Sequence, residues 1–345
     1  MGKIKFSIVG CGRIALRHAE QIAKKGELIG VCDIDEKALK SFASKYPGVN
    51  TYRSIEELLE KDDISQVVNI CTPNGLHAEH SIKALKKGKH VVCEKPMALN
   101  VNDCRMMIEE AERNQRYLFI VKQNRFNPPV IKLKELIDNG TLGKIYSAQL
   151  NCFWNRNERY YKESNWKGTR ALDGGILYTQ FSHFIDLYLW MLGYIKNVNS
   201  FADNFHHSDT IEFSDTLVSI VEFESGIIGT MNFSINSYEK NMEGSITVFG
   251  ENGTVKIGGQ YLNVMEYHNI RNLVLDKMES VHNANDYGFY QGSMSNHDKV
   301  IDNVIDVINN DAKIAVNGFD GLRTVEIIQK IYRSLKRFSF HATIH

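Results

Sequence analysis

The residues able to do chemistry fall into three short groups, each at the end of a strongly apolar run. The first is Gly10-Cys11-Gly12-Arg13-Ile14-Ala15, with Asp33 placed 23 residues after Gly10. Gly10 permits a tight turn and Gly12 lets backbone N–H groups approach a diphosphate at a helix start. Ala15, in place of the usual third glycine, is still small enough for close helix–strand packing. An acid at the position of Asp33 accepts hydrogen bonds from ribose hydroxyls and repels a 2′-phosphate, which favours NAD over NADP. Arg13, Ile14 and Ile34 flank these positions and belong to the same candidate cofactor set. The second group is Thr72-Pro73-Asn74, with His77 just beyond it. The third is Glu94-Lys95-Pro96. An ammonium at Lys95 can hydrogen-bond a hydroxyl and favour its alkoxide form as a hydride leaves. The alternative for such a lysine is a solvated surface charge, and its place at a strand end argues against that. Pro96 can carry a cis bond, which sequence alone does not decide.

These groups need elements to hold them. Residues 3–9 read as a buried strand, followed by a helix to about Gly26 and a strand over 28–32. Helices are expected over 36–45 and 55–61, and a strand over 65–71 that ends at Thr72. A helix over 77–87, a strand over 90–93, a helix over 102–114 and a strand over 117–121 complete the run. Strands alternating with helices of this length make βαβ units and a parallel sheet, with ligands at the carboxyl ends of the strands. After about residue 124 the rhythm changes. A helix over 129–139 precedes long alternating runs at 144–154, 197–205, 215–224, 226–238, 244–250 and 254–257, with hairpin turns at Ser225-Gly226 and Asn252-Gly253. One apolar helix, 174–192, interrupts them, and helices return at 296–310 and 319–337.

The expected fold is therefore α/β: an N-terminal Rossmann-type, doubly wound parallel sheet over 1–123, then an α+β domain over 124–345 with a large, mainly antiparallel sheet. The last helix, 319–337, is expected to pack back on the first domain. A chain of 345 residues is long for one core. Its 41 basic and 41 acidic residues give zero formal net charge, which argues against a nucleic-acid or membrane coat, since both need excess positive charge. Six cysteines without a C-x-x-C pair read as reduced core thiols, so neither a disulfide framework nor a metal site is expected. No run of about 18 apolar residues occurs, and the run at 4–9 is too short for a signal peptide. A cytoplasmic protein is the expectation.

The glycine-rich start, Thr72-Pro73-Asn74, the Glu-Lys-Pro turn and the α+β second half resemble the glucose–fructose oxidoreductase / inositol dehydrogenase / MocA (Gfo/Idh/MocA) family over essentially the whole chain. Within it, four stretches look like the UDP-N-acetyl-2-amino-2-deoxy-glucuronate 3-dehydrogenases of bacterial O-antigen synthesis. These are Lys122-Gln-Asn-Arg-Phe-Asn-Pro128, Tyr160-Tyr161 with Trp166-Lys167-Gly168-Thr169, Leu172-Asp-Gly-Gly175, and Tyr290-Gln-Gly-Ser-Met-Ser-Asn-His297. Other family sugar or inositol dehydrogenases share parts of them, and a non-catalytic NAD-binding sensor is the reading from a different class.

The resemblance implies NAD as cofactor, with Gln123 and Trp166 added to the cofactor set. In the family, a helix after the Gly-Gly pair carries a polar residue four positions before a histidine, here Thr179 and His183, a spacing that puts both on one helical face. Thr179 stands where relatives carry Asp or Asn and cannot be an ionised base. That leaves His183 as proton acceptor, because an imidazole ordinarily titrates near neutrality. A histidine amid Phe181, Phe184 and Leu187 is otherwise a packed core residue. The implied substrate is anionic at its diphosphate and its C6 carboxylate, and Arg125, Arg156, Arg159, Lys167 and Arg170 cluster in the matching stretches. Tyr160, Tyr161, Tyr287 and Tyr290 can stack on a base or bond sugar hydroxyls; Asn127 and Gln180 complete the substrate set. The family also implies a homo-oligomer, dimer or tetramer, built on the second-domain sheet.

Overall fold

The computed structural model describes residues 2–336 apart from Lys277, 279–283, Tyr287 and Phe289. It divides into two compact units, one of residues 1–123, 171–174 and 295–326, the other of 124–170, 175–294 and the remainder. Segments 171–174 and 295–326, read from sequence with the second domain, thus count with the first.

The first unit follows the alternation written in its sequence: β1 (Lys5–Val9), α1 (Arg13–Lys25), β2 (Glu27–Cys32), α2 (Glu36–Lys45), β3 (Asn50–Tyr52), α3 (Ile55–Lys61), β4 (Val67–Ile70), α4 (His77–Lys86), β5 (His90–Cys93), α5 (Val101–Arg113) and β6 (Leu118–Ile120). All pairings are parallel, in the order β3-β2-β1-β4-β5-β6. Val67, Val68, Ile70, Val91, Val92 and Cys93 are fully buried. A strand apolar on both faces suits a parallel sheet covered by helices on both sides. The helix starts are set by short polar side chains. Asp35, Ser54 and Asn100 accept the backbone N–H groups of Lys37, Glu57 and Asp103. Strand order reverses between β1 and β4, and ligands of such sheets bind at that switch point, beyond the strand ends. The three-residue β3 carries too little pattern to be seen in sequence.

The second unit holds α6 (Pro128–Asp138), β7 (Ile145–Phe153), α7 (Glu158–Lys162), α8 (Ile176–Thr179), α9 (Ser182–Leu192), β8 (Ile195–Asp203), β9 (Thr216–Phe223), β10 (Ile228–Ser234), β11 (Glu243–Gly250), β12 (Gly253–Gly258), β13 (Val264–Ile270) and a small hairpin, β14 (Ala284–Asp286) with β15 (Gln291–Met294). Among the described residues its main sheet runs β13-β12-β11-β7-β10-β9-β8-β16. It is antiparallel except where β10 meets β7 and where β16 (Leu335–Lys336) meets β8. One face is buried under α9, whose Phe184, Ile185, Leu187 and Tyr188 are inaccessible to solvent. The Tyr188 hydroxyl donates to the Ala148 carbonyl of β7 at 2.8 Å.

Two expectations are corrected. The helix read over 174–192 is two, broken at Gln180–Phe181: the Phe181 N–H reaches back five residues to the Ile176 carbonyl at 3.0 Å, and Phe181 stacks on Phe233, ring centroids 5.0 Å apart. The helix read over 319–337 is α11 (Gly318–Arg333), followed by β16. Before it, α10 (His297–Asn310) packs on α1, with Val300, Ile301 and Val304 of α10 buried, and Lys25 pairs with Asp302 at 2.6 Å. The six cysteines are free and buried. Among the described residues no helix is long and apolar enough to cross a membrane.

Candidate active site

The glycine turn sits beyond β1. Gly10 has φ +94°, and a Cβ there would lie 2.6 Å from the Cys71 carbonyl oxygen and 2.8 Å from the Thr72 nitrogen. Only glycine lets the ends of β1 and β4 approach this closely. Gly12, the N-cap of α1, has φ −74° and open space where its Cβ would be. A helix N-terminus with an open, side-chain-free cap is a fitting seat for a diphosphate. Asp33 closes the turn from β2: its Oδ2 accepts the Cys11 N–H at 2.7 Å and its Oδ1 the Asp35 N–H at 2.9 Å. Ile34, 91% exposed, presents an apolar surface beside it. Arg13 is exposed and Ile14 half-buried at the first turn of α1.

Beyond β4, Thr72 and Pro73 are half-buried and Asn74 is buried, its amide donating to the Asp173 carbonyl at 2.9 Å. His77 ties two turns together. Its Nδ1 lies 2.6 Å from the Pro96 carbonyl and its Nε2 2.9 Å from the Thr72 carbonyl. Burial lowers its pKa against the pull of those two acceptors. Beyond β5, Lys95 is half-buried and its bond to Pro96 is cis. Glu94 does not share the exposure of its neighbour. Its carboxylate, 4% exposed, turns inward between His18 of α1 and His297 of α10. Burial alone would raise its pKa, but the hydrogen bond from His18 and the nearness of both imidazoles outweigh that and hold it well below the usual range. Gln123 is buried, its carbonyl accepting from the Asn296 amide at 3.2 Å, and among the described residues its Oε1 has no protein donor. The open Gly12, the anchored Asp33 and this orphaned oxygen together fit a dinucleotide.

In the second unit, Thr179 ends α8 and His183 lies in α9. Between them Gln180 and Phe181 keep αR backbone dihedrals. His183 is buried, at 2% exposure. Gln180 reaches toward Tyr160, its Nε2 3.3 Å from the hydroxyl. Around Tyr160 two cations gather. Lys167 Nζ stands 3.7 Å from its ring centroid and 5.3 Å from that of Tyr290; the Arg156 guanidinium lies within 5.3 Å of the rings of Trp154, Tyr160 and Tyr290. Arg156 is 3% exposed. Its hydrogen-bond partners among the described residues are all neutral: the carbonyls of Asn155 and Gln291 and the side chain of Asn241. A buried guanidinium held only by carbonyls and π faces carries uncompensated positive charge. Trp166 is half-buried nearby, 5.9 Å from Lys167 Nζ.

Of the other candidates, Arg125 and Asn127 are engaged with their own neighbours. Arg125 gives Nε and Nη2 to the two oxygens of Asp186, both at 2.8 Å, and stacks on Trp190. Asn127 is buried and donates to the Tyr261 and Leu262 carbonyls. Arg159 pairs with Glu163 at the surface, and Arg170 is exposed with its N–H on Glu212. Tyr161 is packed at 2% exposure, and Tyr287 lies outside the described residues. Sequence reasoning missed His18 and His297 as partners of Glu94. His297 closes one of the matching stretches, but nothing marked His18 apart from its helical face.

Comparison with known proteins agrees with this architecture. Residues 4–122 match the model of an oxidoreductase family with an NAD-binding Rossmann fold, and 134–338 match that family's C-terminal alpha/beta domain. The WlbA dehydrogenase of Bordetella pertussis, solved with NADH and UDP-GlcNAcA, is 32% identical, with 96% of each chain covered and a TM-score of 0.87. The WlbA dehydrogenase of Chromobacterium violaceum, solved with the same two ligands, is 34% identical, with 97% of this chain and 94% of that one covered and a TM-score of 0.86. Curated relatives are more varied. A 1-carboxy-3-chloro-3,4-dihydroxycyclohexa-1,5-diene dehydrogenase of Comamonas testosteroni is 30% identical over 67% of this chain, which spans 58% of that relative's length. A myo-inositol 2-dehydrogenase of Thermotoga maritima is 29% identical over 73% of this chain and 74% of its own. The chain belongs to the Gfo/Idh/MocA family of NAD-binding oxidoreductases.

Proposed function

We propose that this enzyme oxidises the C3 hydroxyl of UDP-N-acetyl-2-amino-2-deoxy-glucuronate to the 3-keto sugar nucleotide, a step of bacterial surface-polysaccharide synthesis. The observation that carries the reading is the likeness, over nearly the whole chain, to two dehydrogenases solved with that sugar nucleotide. The buried Arg156 and the neighbouring Lys167 support it, since the substrate brings negative charge at its diphosphate and at C6. Tyr160 and Tyr290 offer faces for the uracil or edges for the sugar.

The Gly10–Ala15 turn, Asp33 and Gln123 would hold NAD⁺, which would supply the acceptor for the C3 hydride. The rest falls to the protein. Lys95 donates a hydrogen bond to the reacting hydroxyl and stabilises negative charge on that oxygen. His183 receives the hydroxyl proton. Thr179 can donate or accept a hydrogen bond but holds no proton-accepting charge. The exposed apolar row on the sheet, Val218, Ile220 and Ile228, is 45–62% accessible and supports assembly into a homo-oligomer through that face.

Incubation with UDP-N-acetylglucosaminuronate, NAD⁺ and 2-oxoglutarate as hydride acceptor is expected to yield the 3-keto product. No keto sugar and no tight binding would sink the substrate assignment. The spread of curated relatives favours a second reading, another sugar or inositol dehydrogenase of the family. Turnover on a neutral hexose or inositol in preference to the nucleotide sugar would establish it. NAD binding without turnover on any sugar would favour a sensor.

A further inference from the structure

Behind Lys95 lies a buried cluster that the proposed chemistry leaves unused. His18 Nε2 is 2.8 Å from Glu94 Oε1, and His297 Nε2 is 3.5 Å from the same oxygen. Glu94 Oε2 accepts the backbone N–H of Lys95 at 3.1 Å. Asn69 of β4 places its amide nitrogen 2.7 Å from His18 Nδ1. His18 and Asn69 are fully buried, Glu94 and His297 nearly so. We propose that Glu94, held by His18 and His297, is a positioning residue that fixes the Lys95 backbone to α1, the helix that opens the cofactor turn, and to α10.

Proton placement supports a hydrogen-bonded hub. A carboxylate accepts only, so His18 Nε2 carries hydrogen, and its Nδ1 then accepts from the Asn69 amide. His18 thereby uses both ring nitrogens. Burial lowers the pKa of His297 from its usual value, and its Nε2 faces Glu94 across 3.5 Å. The ligand atoms lie within 4.8 Å of one another, as those of a two-histidine, one-carboxylate metal site would. A reacting group displaced by about 1 Å can lose about a hundredfold in rate, so the cluster's effect should fall on turnover.

The test uses Glu94→Gln in the full-length enzyme, with His297→Gln as a second variant should the first not fold. Hydrogen–deuterium exchange across 90–100 is expected to show the Lys95 amide exchanging at least tenfold faster while β5 stays protected. This measurement is independent of the substrate. With UDP-N-acetylglucosaminuronate, kcat should fall tenfold or more, with KM and NAD⁺ affinity within threefold of wild type. In a Lys95→Ala background, Glu94→Gln should cost nothing further. The kinetic arm rests on Lys95 acting at the hydroxyl, and Lys95→Ala alone tests that assignment. Unchanged Lys95 exchange, additive losses in the double variant, or stoichiometric zinc that raises the Tm of wild type would each overturn the proposal.

Discussion

Gly10 and Gly12 stand two residues apart in one turn, yet the structure assigns them opposite sensitivities. At Gly10 an added methyl meets backbone on both counts: the φ of +94° is unfavourable for alanine, and the Cys71 oxygen and Thr72 nitrogen stand 2.6 and 2.8 Å from the new atom. Left-handed backbone costs about 1–2 kcal/mol and forced overpacking about 1–3 kcal/mol, so Gly10→Ala should lose about 2–5 kcal/mol of stability. At Gly12 the φ of −74° is ordinary and the methyl enters open space. Only the weaker N-cap preference of alanine opposes Gly12→Ala, so Tm should fall by about 3 °C or less. That open space is where a diphosphate must approach. Losing one charge-assisted backbone contact, worth about 1.5–3 kcal/mol, should weaken NAD⁺ binding by about 10–100-fold. Denaturant unfolding and calorimetric titration with NAD⁺ on the two single variants separate the effects. Wild-type NAD⁺ affinity in Gly12→Ala, or wild-type stability in Gly10→Ala, would refute the reasoning.

Four further outcomes are expected. Lys95→Ala should lower kcat by about 10²–10⁴-fold with NAD⁺ affinity little changed, measured by nicotinamide absorbance and equilibrium titration. Lys167→Met should weaken UDP-N-acetylglucosaminuronate about 10–100-fold, and comparison with UDP-N-acetylglucosamine, which lacks the carboxylate, shows whether Lys167 meets C6 or the diphosphate. His90, whose Nδ1 accepts the Tyr117 N–H at 2.9 Å, is held down to about pKa 4 by burial and then by Arg116. Its folded pKa is depressed, so the unfolded chain binds the extra proton between about pH 6.5 and 4 and stability falls as pH drops through that window. His90→Gln should flatten that part of the Tm–pH curve. Ile220→Glu on the exposed sheet face should reduce the mass seen by light scattering if that face holds copies together.

The first unit was almost wholly legible in sequence because each of its signals is local. Strands buried on both faces appear as unbroken apolar runs, and glycine turns mark their ends, so β2, α2, α3 and β5 fall within a residue of where periodicity puts them. β3 was not, having three residues and one buried side chain. The break between α8 and α9 escaped because both flanks are apolar. The preference that decides it, Phe181 against Phe233, spans 52 residues. Site residues divide the same way. Asp33 and Lys95 are marked by strand ends, whereas the commitment of Arg125 to Asp186 and of Asn127 to the Tyr261–Leu262 turn depends on pairings no spacing rule foresees. His18 shows the limit most plainly, since an amphipathic helix pattern treats it as one more inward position.

The parallel match of β7 with β10 has a bearing on how this enzyme could change its diet. Residues 145–153 and 228–234 pair in register from Ser147 with Ile228 to Phe153 with Ser234, and β11 closes the other side of β7. The chain leaves β7 at Phe153 and re-enters the sheet at Ile195 of β8. Tyr160, Lys167, Thr179, Gln180 and His183 all lie on that excursion. One contiguous stretch of gene thus encodes most of the proposed sugar contacts, while the partners of β7 in the sheet lie outside it. Recombination that exchanges this stretch between relatives could alter the sugar accepted in a single event, provided the incoming segment restores the apolar underside of α9.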